Sequence, residues 1–278
     1  MPELPEVETM RKGIAGALGS RVVKVQQLPC RKKPLATNAS WQKISRQLRK
    51  RCITNVGRHG KRIILSFDHA WSLVIEPRMT GLMLVDEPPT QEHLRFELEL
   101  EGGDCDRIAY WDRRGLGQVF LLDQQGLAEY LSPARIGPDA LSITREQLAN
   151  NLRQRKIAAK VGLLDQKAVA GVGNIYASEI LHLAGVDPRK KCQRISRKNW
   201  HLIHEKMLLV LETAIRHEGS TLSDGTYRNA LNDPGSYQNQ HRVYDREGLV
   251  CPTCRVAEIK RIVQSQRSTF YCGHCQKR

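Results

Sequence analysis

The hydrophobic and polar residues of this chain follow two different periods. Between residues 20 and 123 the period is that of β-strands, and residues 94–101 alternate apolar and charged side chains without a break. Such alternation is typical of an antiparallel sheet with one face in water. Further strands are predicted at 22–25, 62–67, 73–75, 107–111 and 118–122.

From about residue 124 the period becomes helical. Ser132-Pro133 and Gly137-Pro138 mark a hinge. Residues 219–240, rich in Gly, Ser, Asn, Asp and Gln, indicate a mobile polar loop. Helices are predicted at 145–153, 157–166, 174–184 and 196–217.

The last of these helices carries one apolar stripe, and Ser196 is its candidate N-cap. Its period places the stripe against a hydrophobic core. The stripe consists of Trp200, Ile203, Met207, Leu211 and Ala214.

The first residues allow two interpretations. Val7, Met10, Ile14 and Leu18 recur at helical spacing and Gly19 follows them, which predicts an amphipathic helix. Pro5 suits its first turn, and acidic residues there suit its positive end.

The chemical interpretation starts from Pro2. Removal of Met1 is expected because the next residue is small, and it exposes Pro2 as a secondary amine. A terminal amine has a pKa of about 7.7–8.0, so part of it is neutral and nucleophilic near pH 7. Glu3 stands next to it as a proton donor or acceptor.

Composition narrows the class of partner. The 278 residues are enough for two domains, and a formal net charge of +15 with a pI near 9.7 indicates a polyanionic partner. No apolar run approaches the roughly 20 residues that cross a bilayer, and no signal peptide opens the chain. Only 5% of residues are aromatic, which argues against a broad base-stacking platform.

Eight cysteines divide into two groups. The pattern Cys251-x2-Cys254-x17-Cys272-x2-Cys275 predicts one structural Zn²⁺ held by four thiolates, with a spacer long enough for a β-hairpin; redox or unpaired cysteines are the alternative. Basic residues surround it, and Arg267 at the hairpin tip is a candidate phosphate contact, unless the hairpin is simply solvated. The scattered cysteines, predicted to be free and mostly buried thiols, are Cys30, Cys52, Cys105 and Cys192.

Three other segments carry weaker signals. Gly171-Val172-Gly173-Asn174 leads into a helix, where free N–H groups suit a phosphate, although a plain helix–helix turn also fits. Gly57–Lys61 is predicted to be a basic loop before a strand. Residues 189–198 hold six basic residues. Both basic segments fit a DNA-facing patch or a solvated surface.

The start PELPEVET, the segment GVGNIYASE and the terminal CPTC and QRSTFYCGHC, in this order, resemble the bacterial formamidopyrimidine-DNA glycosylases. The resemblance runs the full length. It implies an α+β multidomain fold: an N-terminal antiparallel β-sandwich with flanking helices (2–132), a helix–two-turn–helix domain (133–236) and a zinc finger (241–276). It also implies excision of 8-oxoguanine and formamidopyrimidines from double-stranded DNA, followed by β,δ-elimination at the abasic site.

The resemblance also assigns roles to residues. Pro2 becomes the Schiff-base nucleophile, Glu3 the proton donor and acceptor, and Glu6 a supporting carboxylate. Lys61 contacts phosphate and transfers protons. The phosphate clamps are Lys156, Asn174 and Arg267, and Arg267 also serves δ-elimination. The residues that fill the space of the flipped nucleotide are Met79, Arg114 and Leu116.

Several positions depart from the family pattern. Leu116 stands where a phenylalanine is usual, and Gln91 where a DNA-contacting histidine is usual. Glu76-Pro77-Arg78 replaces His-Leu-Gly before the methionine. These departures affect damage search and the choice of opposite base rather than the chemistry.

Two alternatives stay open at the level of sequence. One is an endonuclease VIII-type enzyme for oxidised pyrimidines, which typically begins PEGPE rather than PELPE. The other is a non-enzymatic damaged-DNA-binding protein on the same scaffold. In either case we expect a monomer in the bacterial cytoplasm, associated with the nucleoid and not with a membrane.

Overall fold

The computed structural model describes residues 2–31 and 33–277. They form two compact units. The first comprises the chain up to Leu131 together with Ile215–Ser236, and the second comprises Ser132–Ala214 and the chain from Tyr237 onward. Within these residues, no helix has both the length and the hydrophobicity needed to cross a membrane.

The first unit is built from strands and three helices. The helices are α1 (Leu4–Gly13), α2 (Trp41–Leu48) and α3 (Gln124–Tyr130). In chain order the strands are β1 (Arg21–Gln27), β2 (Ala36–Thr37), β3 (Ile53–His59), β4 (Arg62–Phe67), β5 (Ser72–Glu76), β6 (Gly81–Leu84), β7 (Leu94–Glu101), β8 (Arg107–Asp112) and β9 (Gln118–Leu122).

These strands form two sheets, with the orders β1-β7-β8-β6 and β2-β9-β5-β4-β3. Every pair is antiparallel except the short β2–β9 pair. Phe96 and Leu98 from one sheet share a single hydrophobic core with Ile63 and Leu65 from the other. The antiparallel β-sandwich implied by the resemblance is therefore confirmed.

The local sequence explains why strand β7 was predicted and why strand β6 and helix α2 were not. Strand β7 was predicted because its apolar and charged residues alternate, and in the structure buried and half-buried residues alternate from Phe96 to Leu100. Strand β6 is four residues long and buried on both faces, so it has no alternation to detect. Helix α2 lies inside the segment predicted to be all strand, where Ser40 accepts a hydrogen bond from the Lys43 backbone at 3.2 Å and caps it.

Helix α1 confirms the predicted N-terminal helix but ends earlier than predicted. Val7, Met10 and Ile14 are fully buried. The helix ends at Gly13, a 3₁₀ turn follows at Ala15–Ala17, and Leu18 is 57% exposed. The prediction that the helix continues to Gly19 was wrong, because the chain turns there to enter β1 and Leu18 leaves the buried face.

The second unit is helical, with a terminal hairpin. In the long last helix the predicted stripe is confirmed, since all five of its residues are buried, and Ser196 accepts a hydrogen bond from the Asn199 backbone at 3.2 Å. The elements are α4 (Arg145–Leu152), α5 (Ala159–Leu164), α6 (Asn174–Leu183), α7 (Arg197–Arg216), β10 (Ile259–Gln264) and β11 (Arg267–Cys272).

Residues 215–236 group with the sandwich, although the resemblance assigned them to the helical domain. Tyr227 and Ala230 lie in the core of the first unit, and the Val85 backbone donates to the Ala230 carbonyl at 3.0 Å. The polar composition of this segment concealed its apolar anchors. The limits 2–132, 133–236 and 241–276 remain our proposal for the sequence modules.

Candidate active site and metal centre

Acidic side chains are buried at the start of α1. Glu3 and Glu6 are each 1% exposed, and the preceding Pro2 is also buried. The Glu6 carboxylate accepts hydrogen bonds from the backbone N–H groups of Glu3 and Ser220, both at 2.8 Å. One Glu6 oxygen thus holds the backbone next to Pro2, and the other holds the backbone of the segment that contains Ser220. Met1 is outside the described residues.

The segment opposite Glu6 fits closely around it. Gly219 has a φ of +80°, and a Cβ there would come within 2.8 Å of a Glu6 oxygen. The Tyr227 hydroxyl donates to the Glu218 carbonyl at 2.9 Å. Burial, reinforced by the Glu6 charge, raises the pKa of Tyr227 well above its ordinary value, so this hydroxyl stays protonated.

Lys61 lies in the turn between β3 and β4. The predicted basic loop is partly wrong, because residues 57–59 belong to β3 and only Gly60 and Lys61 form the turn. The Arg58 side chain donates to the Gly60 carbonyl at 2.8 Å and to Glu8 on α1 at 2.9 Å. The hairpin that carries Lys61 is therefore fastened to the helix that carries Glu3.

Met79, Arg114 and Leu116 lie on two neighbouring turns. Met79 and Leu116 are 37% and 36% exposed, so both side chains are accessible to a ligand. An Arg114 Nη1–H group donates to the Met79 sulfur at 3.3 Å. The structure therefore brings the predicted void-filling residues Met79 and Arg114 into direct contact.

A buried carboxylate holds these two turns together. Asp112 is fully buried and accepts from the backbone of Arg114 at 3.2 Å and of Gly117 at 2.8 Å, as well as from the Thr80 hydroxyl. Thr80 in turn accepts from the Arg114 backbone at 3.0 Å. Gln91 is not part of this network: it is exposed and its amide donates to Glu87 at 3.2 Å.

In the second unit, Asn174 is the first residue of α6. The Gln166 amide donates to the Val172 carbonyl at 2.9 Å, and its oxygen accepts from the Gly171 backbone at 3.0 Å, so it shapes the glycine turn. The Asn174 Oδ1 atom is buried and has no hydrogen-bond partner among the described residues. That oxygen can only accept, so a phosphate at this helix N-terminus would be bound by the Asn174 amide N–H₂ group and by backbone N–H groups.

Two lysines near α5 differ in solvent exposure. Lys156, the predicted clamp, is exposed in the connection before α5. Lys160 is fully buried, and its ammonium donates to the Ser268 carbonyl at 2.8 Å and to the Thr269 hydroxyl at 2.9 Å. Those residues follow Arg267, which is exposed at the hairpin tip. Lys160 thus fixes the strand that presents Arg267.

The four terminal cysteines form one cluster. Their sulfur atoms lie within 4.8 Å of one another, and two of the separations are 3.8 and 3.7 Å. A tetrahedral zinc with bonds of about 2.3 Å requires sulfur separations of about 3.8 Å, so the residues fit the ion. Backbone N–H groups of Ala257 and Val256 lower the pKa of Cys254, whereas burial raises the pKa of Cys272 and of Cys275, so the positive charge of the ion is needed to hold all four as thiolates. All four ligands come from the protein, so this zinc site is structural.

Outer contacts attach the cluster to α6. The Gln276 oxygen accepts from the Cys272 backbone at 2.8 Å, and its amide donates to the Val186 carbonyl at 2.9 Å. His182 lies 2.9 Å from the Thr253 hydroxyl. The other four cysteines are free as predicted, but only Cys192 is buried and the rest are half-buried. Arg278, expected among the basic residues here, is outside the described residues.

Three family models match the chain. They describe the Formamidopyrimidine-DNA glycosylase N-terminal domain (residues 1–119), the Formamidopyrimidine-DNA glycosylase H2TH domain (136–226) and a zinc finger found in FPG and IleRS (248–278). A formamidopyrimidine-DNA glycosylase from Chloroflexus aurantiacus is 38% identical over 99% of this chain and 98% of its own. The chain belongs to the formamidopyrimidine-DNA glycosylase family.

Solved structures of the family have the same fold. MutM (Fpg) from Thermus thermophilus superposes with a TM-score of 0.84 at 32% identity, covering 99% of this chain and 98% of that one. A Lactococcus lactis Fpg in complex with abasic site containing DNA gives a TM-score of 0.85 at 28% identity, covering 100% of both chains.

The burial of Lys160 and Glu179, two charged residues of this family member, is not predicted by the sequence analysis. Lys160, which the sequence analysis does not single out, shares the buried face of α5 with Leu163. Glu179, inside the GVGNIYASE segment, accepts from the backbones of Arg242, Val243 and Tyr244 at 2.8–3.0 Å. A charged residue within an otherwise apolar helix face was the signal in both cases.

Proposed function

We propose that this protein is a bifunctional DNA glycosylase and abasic-site lyase of base excision repair. It removes oxidised purines, namely 8-oxoguanine and formamidopyrimidines, and then cleaves the strand by β,δ-elimination. The observation that supports the proposal most directly is the buried start of α1, where Glu6 accepts from the Glu3 backbone with one oxygen and from the Ser220 backbone with the other. The names of the family relatives support the same activity.

The chemistry begins with the amine of Pro2, once Met1 is removed. Its nitrogen lone pair forms a bond to C1′ of the damaged nucleotide, and the electrons of the N-glycosidic bond leave with the base. Glu3 supplies a proton as the sugar ring opens to an iminium. The iminium acidifies the C2′ proton, so the 3′ phosphate leaves by β-elimination and the 5′ phosphate by δ-elimination.

The base must first leave the helix. Eversion costs a few kcal/mol, and damage to the base lowers that cost. Met79, Arg114 and Leu116 fill the vacated space, because apolar wedges and an arginine replace the stacking and pairing that are lost. Their exposure and the contact between Met79 and Arg114 support this role.

Phosphate contacts hold the DNA on both sides of the lesion. We assign them to Lys61, Asn174, Lys156 and Arg267. The basic character of the whole chain, with a net charge of +15, supports a polyanionic ligand. Gln91 takes the place of a family histidine at the DNA surface. We also propose that the protein acts as a monomer in the bacterial cytoplasm.

One experiment tests the assignment. Single-turnover excision is measured on matched duplexes that contain 8-oxoguanine or dihydrouracil, with borohydride added to trap the imine. We expect covalent trapping and preferential excision of 8-oxoguanine. A variant shown by mass spectrometry to retain Met1 is the control, and it should trap no DNA. Preference for dihydrouracil, or full trapping by the Met1-retaining protein, would overturn the assignment.

A further inference from the structure

The turn that carries Met79 has an unusual backbone. Arg78 has a φ of +54°, the left-handed region that glycine adopts readily and other residues avoid. The turn is tight, because the Gly81 backbone donates to the Pro77 carbonyl at 3.0 Å. A Cβ at Gly81 would lie 2.2 Å from the Tyr110 hydroxyl, so only glycine fits at the end of this turn. An arginine in this conformation needs something to hold it.

Glu76 supplies that anchor. Its side chain is 8% exposed, and its Oε2 atom lies 2.9 Å from the Arg78 Nε atom. The other end of the Arg78 guanidinium donates to the Gln118 side chain at 2.7 Å. The arginine is therefore held at two points while 53% of its side chain remains exposed.

The second Glu76 oxygen is fixed independently. It accepts from the Arg62 Nε–H group at 2.9 Å and from the Tyr130 hydroxyl. Burial raises the pKa of Tyr130 to about 12, so that hydroxyl remains a donor at neutral pH. Glu76 is thus a fixed carboxylate with one oxygen directed to the turn.

The position of the turn determines the position of Met79. The residue after Arg78 is Met79, whose sulfur accepts from Arg114, and the next is Thr80, whose hydroxyl accepts from the Arg114 backbone. A change from left-handed to right-handed backbone at residue 78 would redirect the chain before both contacts. The conformation of Arg78 therefore controls how Met79 and Arg114 are presented.

We propose that Glu76 and Arg78 are positioning residues that hold Met79 in the orientation needed for base eversion. This inference rests on the proposed glycosylase function. Neither residue acts on the sugar, so the pair affects excision of a stacked base and spares cleavage of a site where no base remains. A glycine at position 78 would adopt this turn without an anchor, whereas Arg78 is held by the Glu76 carboxylate.

The test combines two substitutions. Glu76→Gln removes the negative charge and replaces one carboxylate oxygen with an N–H₂ donor, so the side chain can no longer accept from Arg78 and from Arg62 and Tyr130 at the same time. We expect single-turnover excision of 8-oxoguanine to fall about fivefold, the size that a partly exposed ion pair supports, with abasic-site cleavage unchanged. Arg78→Gly alone should excise at close to the wild-type rate, because glycine adopts the left-handed turn unaided. The double variant should regain the rate lost in Glu76→Gln.

Lys50→Gly is the matched control, since Lys50 is also a basic residue with a φ of +65° in the first unit. It should change neither rate. If Arg78→Gly fails to restore excision in the double variant, the loss acts through Arg62 or Tyr130 and the inference is overturned. A large loss in Arg78→Gly alone would mean that Arg78 itself contacts DNA, and would also overturn it.

A second measurement is independent of activity. The methyl resonance of Met79, observed by NMR in protein labelled at methionine Cε, should shift in Glu76→Gln and return in the double variant. An unchanged resonance would refute the positioning role even if the wild-type enzyme excises 8-oxoguanine. Conversely, a shifted and restored resonance in a protein without glycosylase activity would support positioning while rejecting the proposed function.

Discussion

The carboxylate of Glu6 accepts a hydrogen bond at 2.8 Å from the backbone N–H of Ser220, more than two hundred residues further along the chain. Its other oxygen binds the Glu3 backbone at the same distance. One side chain thus joins the segment bearing Pro2 to the segment 215–236. The order of the proposed active site depends on that connection.

Glu6→Gln should weaken both the fold of the first unit and its chemistry. The amide replaces one acceptor by a donor, which faces a backbone N–H, and a buried donor left without a partner costs about 1–3 kcal/mol. We expect the free energy of unfolding to fall by that amount and abasic-site trapping to slow. Urea denaturation and borohydride trapping measure the two effects. Glu101→Gln, at a side chain 63% exposed, is the control and should change neither.

Lys160→Met should loosen the hairpin that presents Arg267. Methionine fills a similar volume but cannot donate to the Ser268 carbonyl or the Thr269 hydroxyl. We expect a stability loss of about 1–3 kcal/mol and weaker DNA binding. Lys156→Met serves as the comparison: because Lys156 is exposed, stability should be retained while the salt dependence of DNA binding decreases. Equal stability of both variants would contradict the buried role of Lys160.

Cys272→Ser should release the zinc. The terminal module has a small core, so ligand loss removes much of its folding energy. We expect bound zinc below one per chain by elemental analysis, weaker DNA binding, and an intact β-sandwich by circular dichroism. Cys105→Ser, at a free half-buried thiol in the first unit, should retain full zinc. Stoichiometric zinc in Cys272→Ser would rule out a four-cysteine site.

Leu116 should matter for eversion and not for lyase chemistry. Leucine can enter a base step but stacks less well than a phenyl ring. We expect Leu116→Ala to slow 8-oxoguanine excision while sparing a preformed abasic site, and Leu116→Phe to tighten binding to lesion duplexes. Leu18→Ala, at another exposed leucine of the same unit, is the control. Equal losses on both substrates would make Leu116 ordinary packing.

Stability of the second unit should fall in mild acid because of His241. Burial, assisted by the Arg246 charge, lowers the pKa of His241 to about 4. The unfolded chain, with a histidine pKa near 6.5, binds the proton first, so stability is complete above about pH 6.5 and declines toward pH 4, by up to about 3 kcal/mol.

Urea denaturation between pH 7.5 and 5 checks this expectation. His241→Phe preserves the ring contacts with Tyr237 and Tyr244 and should flatten the pH dependence relative to wild type. Because both proteins keep the zinc thiolates, the difference between them isolates the histidine. Parallel curves would show that His241 does not control the acid sensitivity.

The sequence alone determined the features that depend on local spacing. The alternation at 94–101 predicts a strand with one wet face, and the stripe from Trp200 to Ala214 predicts a buried helix face. The paired C-x2-C motifs predict a zinc site, because four thiolates at that spacing suit one tetrahedral ion. The PELPE start, together with the other motifs, indicated the family and the candidate amine Pro2. The catalytic roles of the site residues remain predictions.

Tertiary structure decided what depends on contacts between distant segments. No local period indicates that Ser220 binds Glu6, that Lys160 is buried against β11, or that residues 215–236 pack with the sandwich. A lysine or a carboxylate is normally solvated, and only a preformed set of donors and acceptors makes its burial favourable. Folding brings these donors and acceptors together, and most of them are backbone groups. Because nearly every residue type carries the same backbone groups, the sequence does not reveal where they will meet.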